Sequence, residues 1–406
     1  MFSDAAPFLA YAQTFNLDTV DIVRGPYSTL YGSDAIGGVV SLVTHEGSGT
    51  PKAMLFGEAG TYDSLRAGIL SDGQIGKLPY SFDYVHDETS NARPNNYLRE
   101  DGFSLRLDAA LSPTVTLGMT VRGQYGRYEE PSSDRALYLQ DLWEVIPNLN
   151  LTAGGRYDLY EYAGNAFTYR FTGAYFFPLT STKLRASYGT AFKAPDLFNT
   201  FSTSPTALGN PNLKPETSQG FDTGIDQSLW DGRFVLSSSF FHNYIRDVIA
   251  FVPSGPVTGS YANQNTGETY GIETELRANP FKSWQIRAAF TWTESYFTTA
   301  GVTQRNPYVP RYLFSFDTNY SIIRGLTIGI GSLFVGQREG EDFSYFPAKY
   351  VGMGDYWVLR AYARWEFNSH FAITFRGENL TDQHYQTTIG YPALGTALFC
   401  GAEIRF

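Results

Sequence analysis

A chain of 406 residues carrying 29 Tyr, 31 Phe and 40 Gly, with charged residues held to 17%, is aromatic-rich and charge-poor for a soluble enzyme of its size. Its net charge of -10 and scattered Lys and Arg argue against a nucleic-acid partner, which needs a clustered basic surface. The single cysteine, Cys400, excludes an internal disulfide and any zinc or iron–sulfur centre built on thiolates.

In chain order, the opening MFSDAAPFLAYAQ has neither the basic stretch nor the apolar core of an export signal, so the signal of an exported protein is expected outside this chain. Residues 20–44, VDIVRGPYSTLYGSDAIGGVVSLVT, read as two short buried strands, VDIV and VVSLV, joined through a glycine-rich turn. Pro26 suits the first position of a single helical turn over Tyr27–Tyr31, and Gly25, Gly32, Gly37 and Gly38 permit positive φ or close backbone approach. The spacing matches neither GxxxxGKS/T nor GxGxxG, which argues against a phosphate cradle.

After residue 50 almost no sustained helical period remains. The chain breaks into segments of about 9 to 14 residues with period-two alternation, separated by turn-rich stretches. No apolar run approaches the roughly 18 to 20 residues of a membrane helix, whereas a barrel strand hides its hydrophobicity by alternation. Trp284, Ile286, Ala288, Phe290 and Trp292 share one face, and Gln285, Arg287, Ala289, Thr291 and Thr293 the other. Those two tryptophans stand about 26 Å apart along an extended strand, roughly 20 Å once tilted by about 40°, close to an apolar band between aromatic girdles. The division recurs at Phe167, Tyr169, Phe171 and Tyr175 against Thr168, Arg170 and Thr172, and at Phe371, Ile373 and Phe375 against Thr374, Arg376 and Glu378. In the final strand Leu398, Cys400, Ala402, Ile404 and Phe406 are expected to face lipid, with Glu403 and Arg405 solvated inside. A soluble sandwich also alternates, but with its apolar face inward and on shorter, less aromatic strands.

About eighteen strands are expected from residue 52 onward, an even number suited to a closed antiparallel barrel. Tight turns such as Asp231-Gly232 and Arg324-Gly325 should face the periplasm, and the long connections Lys193–Glu216, Asp247–Glu268 and Gly336–Val351 the outside.

Residues 20–44 resemble the end of the plug domain of TonB-dependent outer-membrane receptors, where a strand ending in RGP leads through a LYG turn to an IGGVI-like strand. Further similar blocks follow in the family's order: ALYLQDLW (136–143), LTAGGRYD (151–158), ASYGTAFKAPDLFN (186–199), NPNLKPE (210–216), YGIETELRA (270–278), GENLTDQHY (377–385) and the terminal Phe406. The resemblance implies an all-β fold: residues 1–50 as the C-terminal part of a truncated plug, and 51–406 as a transmembrane antiparallel barrel. Such transporters have 22 strands, so about four are expected to be missing near Gly126–Ser133. It implies a monomeric receptor in the outer-membrane lipid of a Gram-negative-type bacterium, inserted by the barrel-assembly machinery through Phe406. The implied activity is import of a scarce chelate, an iron-siderophore or cobalamin, energised by the TonB complex. Family plugs begin with a segment that TonB grasps by strand addition; that segment is not visible here. A passive pore or a non-functional truncated remnant is the alternative reading.

Arg24 ends a plug strand and needs a partner if buried. By resemblance, inward acids of the barrel clamp such an arginine, and Asp222 in GFDTG and Glu273 or Glu275 in YGIETE occupy the matching positions. Glu273 and Glu275 share a face with Gly271 and Arg277. Ordinary lumen charges solvated by water are the plainer reading. Phe198, Phe201, Tyr345 and Phe346, in long loops, are candidates to stack on a ligand, although aromatics also belt a membrane interface. The histidines His45, His86, His242, His370 and His384 lack metal-ligand spacing, and no cofactor or resident metal is expected. Glu339, Glu341 and Asp342 could hold calcium, solvated charges being the plainer view. An outer-membrane enzyme, the distant alternative, would need a nucleophile beside a base. Ser239 and His242 fall on opposite faces of a strand, so no catalytic residues are expected.

Overall fold

The computed structural model describes residues 17–24, 38–45, 47–89, 98–112, 115–124, 134–160, 164–255, 258–345 and 348–405. Strand β1 (Leu17–Arg24) pairs antiparallel with β2 (Gly38–Thr44), Val20 opposite Leu42 and Arg24 opposite Gly38, as a sheet of its own. Eighteen long strands then follow. The first six are β3 (Lys52–Gly60), β4 (Ser64–Ile75), β5 (Leu78–Thr89), β6 (Leu98–Ser112), β7 (Val115–Gln124) and β8 (Asp134–Ile146). Next come β9 (Leu149–Tyr160), β10 (Gly164–Phe177), β11 (Thr182–Lys193), β12 (Glu216–Leu229), β13 (Phe234–Pro253) and β14 (Gly259–Phe281). The last are β15 (Trp284–Thr299), β16 (Tyr312–Ile323), β17 (Leu326–Val335), β18 (Tyr356–Glu366), β19 (Phe371–Glu378) and β20 (Ala397–Arg405).

The strands stand in barrel order, each antiparallel to the next, and β20 pairs back onto β3 with Gly401 opposite Glu58. On either side of residues 125–133, β6 is laddered to β7 and β8 to β9.

Registers sort the side chains into two faces as the alternation requires. Tyr188, Phe221, His242 and Tyr270 are directly opposed across four strands. Their rings touch in sequence, Phe221–His242 at 5.7 Å and His242–Tyr270 at 6.0 Å, with Trp292 6.0 Å beyond. A second aromatic row, including Phe281, Trp284, Trp365 and Phe367, lies toward the short turns. Between the rows Ile225, Leu236, Phe290 and Ile330 are exposed, a band that hydrocarbon would cover. Burial is inverted relative to a soluble protein: Asp72, Asp83, Asp108 and Asp158 are buried on the other, lumenal face.

Among the described residues the connections at one rim are all short, while the other rim carries the long ones together with the three-residue turn 61–63. At the short rim Gly325 has φ +86, and a Cβ there would stand 2.3 Å from the Glu366 carbonyl oxygen, so only glycine fits. Two expected loops are corrected. Residues 247–268 are mostly a continuation of β13 and β14 into a tall hairpin, interrupted by register shifts between Ile245 and Ile249, where Asp247 has φ +56. Within 336–351, Arg338–Asp342 pairs with Lys349–Met353 as a small ladder, and the following strand starts at Tyr356. In both places turn-forming residues are scattered through the segment, but side-chain bonds from other loops supply the tertiary support that local composition does not register.

Candidate functional site

Residues two apart on a strand share a face, and this chain repeats acid–base pairs at that spacing. Arg106–Asp108 and Arg156–Asp158 close to 2.8 Å, Glu275–Arg277 to 2.9 Å, and Arg376–Glu378 and Glu403–Arg405 to 3.1 Å. Arg364 and Glu366 make a sixth. Cross-strand pairs link them around the lumen: Arg376 to Glu58 at 2.7 Å, Arg364 to Glu403 at 2.9 Å, and Arg405 to Glu366 at 3.2 Å. Glu403 and Arg405 are thus tied into this network, which goes beyond the water solvation expected of them. A half-exposed pair is worth about 1 kcal/mol at most, but the fully buried Asp158 requires its arginine.

Asp222, Glu273 and Glu275 do share one lumenal wall across β12 to β14. Asp222 accepts the Ser187 hydroxyl and stands 3.8 Å from both Arg170 and Arg185. Glu275 is 2.9 Å from Arg277 and 3.2 Å from Arg287. Glu273 lies opposite Ser239, which accepts a 2.7 Å bond from Arg185. An arriving arginine would therefore join a network and not meet a lone acid. Arg24 closes β1 in the backbone; its side chain, like Gly25, Pro26, Tyr31, Gly32, Gly37, Phe346 and Phe406, lies outside the described residues.

The passage from hairpin to barrel was not signalled by any motif, yet it is tightly held. A Cβ on Gly47 would stand 1.9 Å from the Tyr80 carbonyl oxygen, so the backbone itself packs against β5. Gly49 accepts from the Gln74 amide at 2.8 Å, and His45 and Lys52 approach the buried Asp72 to 3.7 and 3.3 Å.

At the opposite rim the described long loops are folded into two clusters. In the first, Asp196 caps the single helical turn α1 (Leu197–Phe201) by accepting the Asn199 amide at 2.6 Å. Asn210 donates to the Tyr261 carbonyl at 2.8 Å, Asn263 spans Lys214 and Asp247, and Glu216 accepts the Ile249 amide at 2.8 Å. In the second, Arg338 is buried. Its guanidinium donates to the carbonyls of Gln386 and Gly354 and lies 5.1 Å from the Tyr356 ring, itself stacked on Tyr385 at 4.0 Å. Buried Asn379 closes the 379–396 loop by donating to the Gln383 and Leu394 carbonyls. Glu294 draws in Arg305 and, at 2.7 Å, Arg311, anchoring the 300–311 connection.

The candidate ligand aromatics fall on separate clusters. Phe198 and Phe201 are exposed on α1, Phe198 edge-on to Tyr261 at 6.1 Å; Tyr345 is exposed on the second cluster with Lys349 4.0 Å over its ring. Glu341 accepts the Tyr350 hydroxyl at 2.8 Å, and burial together with that bond pushes the phenol's pKa up. Ser344 donates twice to Asp342 and holds its carboxyl below the usual range. Among the described residues no three His, Cys, Asp or Glu gather as a metal site. Ser239 lies in the lumen against Arg185 while His242 bonds Glu268 at 2.9 Å on the outward face, so the two are divided by the sheet.

An antiparallel barrel, apolar outside, charge-lined within, and carrying stitched loops at one rim, is the architecture of a membrane-embedded β-barrel. The chain belongs to the TonB dependent receptor-like, beta-barrel family, whose profile matches residues 8–380. It is 24% identical over 284 residues to the "Probable TonB-dependent siderophore receptor PiuA" of Acinetobacter baumannii, covering 62% of this chain and 37% of that protein. To the "Probable TonB-dependent receptor BfrD" of Bordetella pertussis it is 25% identical over 333 residues, 73% of this chain and 44% of that one. It thus spans less than half the length of these curated relatives. The fold is similar to the siderophore receptor PirA from Acinetobacter baumannii, with TM-score 0.78 at 13% identity over 98% of this chain and 86% of that one. It is also similar to Pseudomonas aeruginosa FpvA, solved bound to a heterologous pyoverdine, with TM-score 0.77 at 14% identity over 99% and 78%.

Proposed function

We propose that this barrel is an outer-membrane receptor importing an iron-chelate of the siderophore type, with energy from TonB. The observation that carries the reading is the family match across almost the whole barrel, laid over a rim whose loops are ordered by side-chain pins. A binding vestibule needs such order to hold its contacts in place. Exposed Phe198, Phe201 and Tyr345 supply flat apolar surface for a chelate, and Arg24 of the preceding hairpin joins the Asp222–Glu273–Glu275 wall as the plug's clamp.

Titration of the purified protein in detergent with a panel of ferric siderophores and cobalamin, read by tryptophan fluorescence, is expected to give saturable quenching with one ferric class. Cobalamin-only quenching would move the cargo; quenching by none would sink the receptor reading. In planar bilayers the native protein is expected to be nearly silent, and a steady conductance would favour the passive pore. Arg24→Ala is expected to raise permeability to large antibiotics and to reduce chelate uptake; unchanged values for both would remove the clamp.

A further inference from the structure

We propose that a groove on the outward face of β10 to β13 binds the phosphorylated sugar headgroup of an outer-leaflet glycolipid, lipopolysaccharide. The proposal rests on the outer-membrane reading above. Directly beyond the aromatic row Tyr188–Phe221–His242, on the loop side, the registers set Thr190, Gln219 and Tyr244 in the next row, and Phe192, Thr217 and Arg246 in the row after. These rows bound a cavity of about 490 Å³, edged by Phe167 and Tyr169 on one side and by Lys214 and Asp247 on the other. Its position matters. Acyl chains would lie against the exposed Phe171, Phe221 and Ile225 below, which brings the headgroup of the same lipid to the level of the groove.

The groove's chemistry differs from that of the lumen. Lumenal arginines are neutralised by neighbouring acids, as described above, whereas among the described residues no carboxylate lies within 4 Å of the Lys214 or Arg246 charge. Arg246 is exposed, and its guanidinium carbon lies 5.3 Å from the Tyr244 ring centre, so the charge is held at the groove on an aromatic face while remaining open to an incoming anion. Two cations facing one acid, Asp247, leave a net positive site. Arginine matches phosphate oxygens bidentately, the Gln219 amide adds donors, and Tyr169 and Tyr244 offer faces on which sugar rings stack. Anionic sugar phosphate fits this set; a purely hydrocarbon partner would leave both cations unused.

The test uses the whole chain in detergent micelles, with lipid retention read by native mass spectrometry and folding checked by heat-dependent gel migration. Wild type is expected to retain bisphosphorylated lipid A about tenfold better than the dephosphorylated form, and K214E/R246E is expected to lose that preference. K282E/R324E, at the opposite rim, is expected to keep it. The site is overturned if K214E/R246E retains lipid A as wild type does, if the phosphates make no difference, or if the opposite-rim pair falls equally. A barrel that inserts but shows one of those results fails the groove alone; a chain that is stable in water without detergent fails the membrane reading as well.

Discussion

Arg338→Ala is expected to free the second loop cluster and weaken chelate binding about 100-fold. Removing the guanidinium leaves the Gln386 and Gly354 carbonyls without their charged donor and takes a cation from the face of Tyr356, which is stacked on Tyr385. A charged hydrogen bond contributes roughly 1.5 to 3 kcal/mol and a desolvated cation–π contact about 1 kcal/mol or more. Together these amount to about 3 kcal/mol of loop order, which a ligand would then have to supply. The readouts are fluorescence titration and limited proteolysis, with new cuts expected in 336–355 and 379–396. Arg338→Lys should rescue little, because one ammonium lacks the planar fork that serves two carbonyls and a ring at once. An unchanged cleavage map and affinity in the alanine variant would show that the loops are held by something else.

Gly271→Val is expected to be the most damaging single change to the barrel. Gly271 lies mid-strand in β14, opposite Phe241 of β13 and Thr293 of β15. A Cβ there would stand 2.1 Å from the Trp292 carbonyl oxygen and 2.8 Å from the Phe241 ring. The ring can swing aside, but the carbonyl belongs to the ladder, so relief requires β14 and β15 to part. A loss of about 3 kcal/mol or more follows, measurable as a lowered urea midpoint in detergent. Gly57→Ala is the control: it too is mid-strand, but a Cβ meets nothing within 4 Å, and its midpoint should hardly move. Equal midpoints for all three proteins would mean that the sheet yields at Gly271 at little cost.

The barrel was legible because strand geometry leaves little choice. Period two is built into the backbone, so Trp284 to Trp292 on one face and Arg287 on the other follow as soon as the segment is extended. The same logic made the lumen charges readable, since Arg376 and Glu378 or Glu403 and Arg405 must share a side. What it left hidden was their partners on other strands: Glu58 is 318 residues from Arg376. The loops were less legible for the same reason. GENLTDQHY stands out as a block, yet nothing local says that Asn379 closes a loop through Leu394, 15 residues on, or that Arg338 reaches Gln386 across 48. Residues 247–268 look like a loop because Gly, Pro and Ser punctuate them, and Asn263, tied to Lys214, is part of what holds them as a hairpin. Arg24's partner could not be chosen from sequence, because Asp222, Glu273 and Glu275 all lie on one wall.

The pairing of β3 with β20 sets a schedule for biogenesis. Residues 52–60 and 397–405 each pair with a sequence neighbour on one side, but their other edges wait for one another, which makes this contact among the most distant along the polypeptide and entropically slow to form. Until they meet, both strands present raw hydrogen-bonding edges able to recruit other chains, and their pairing is what closes the cylinder.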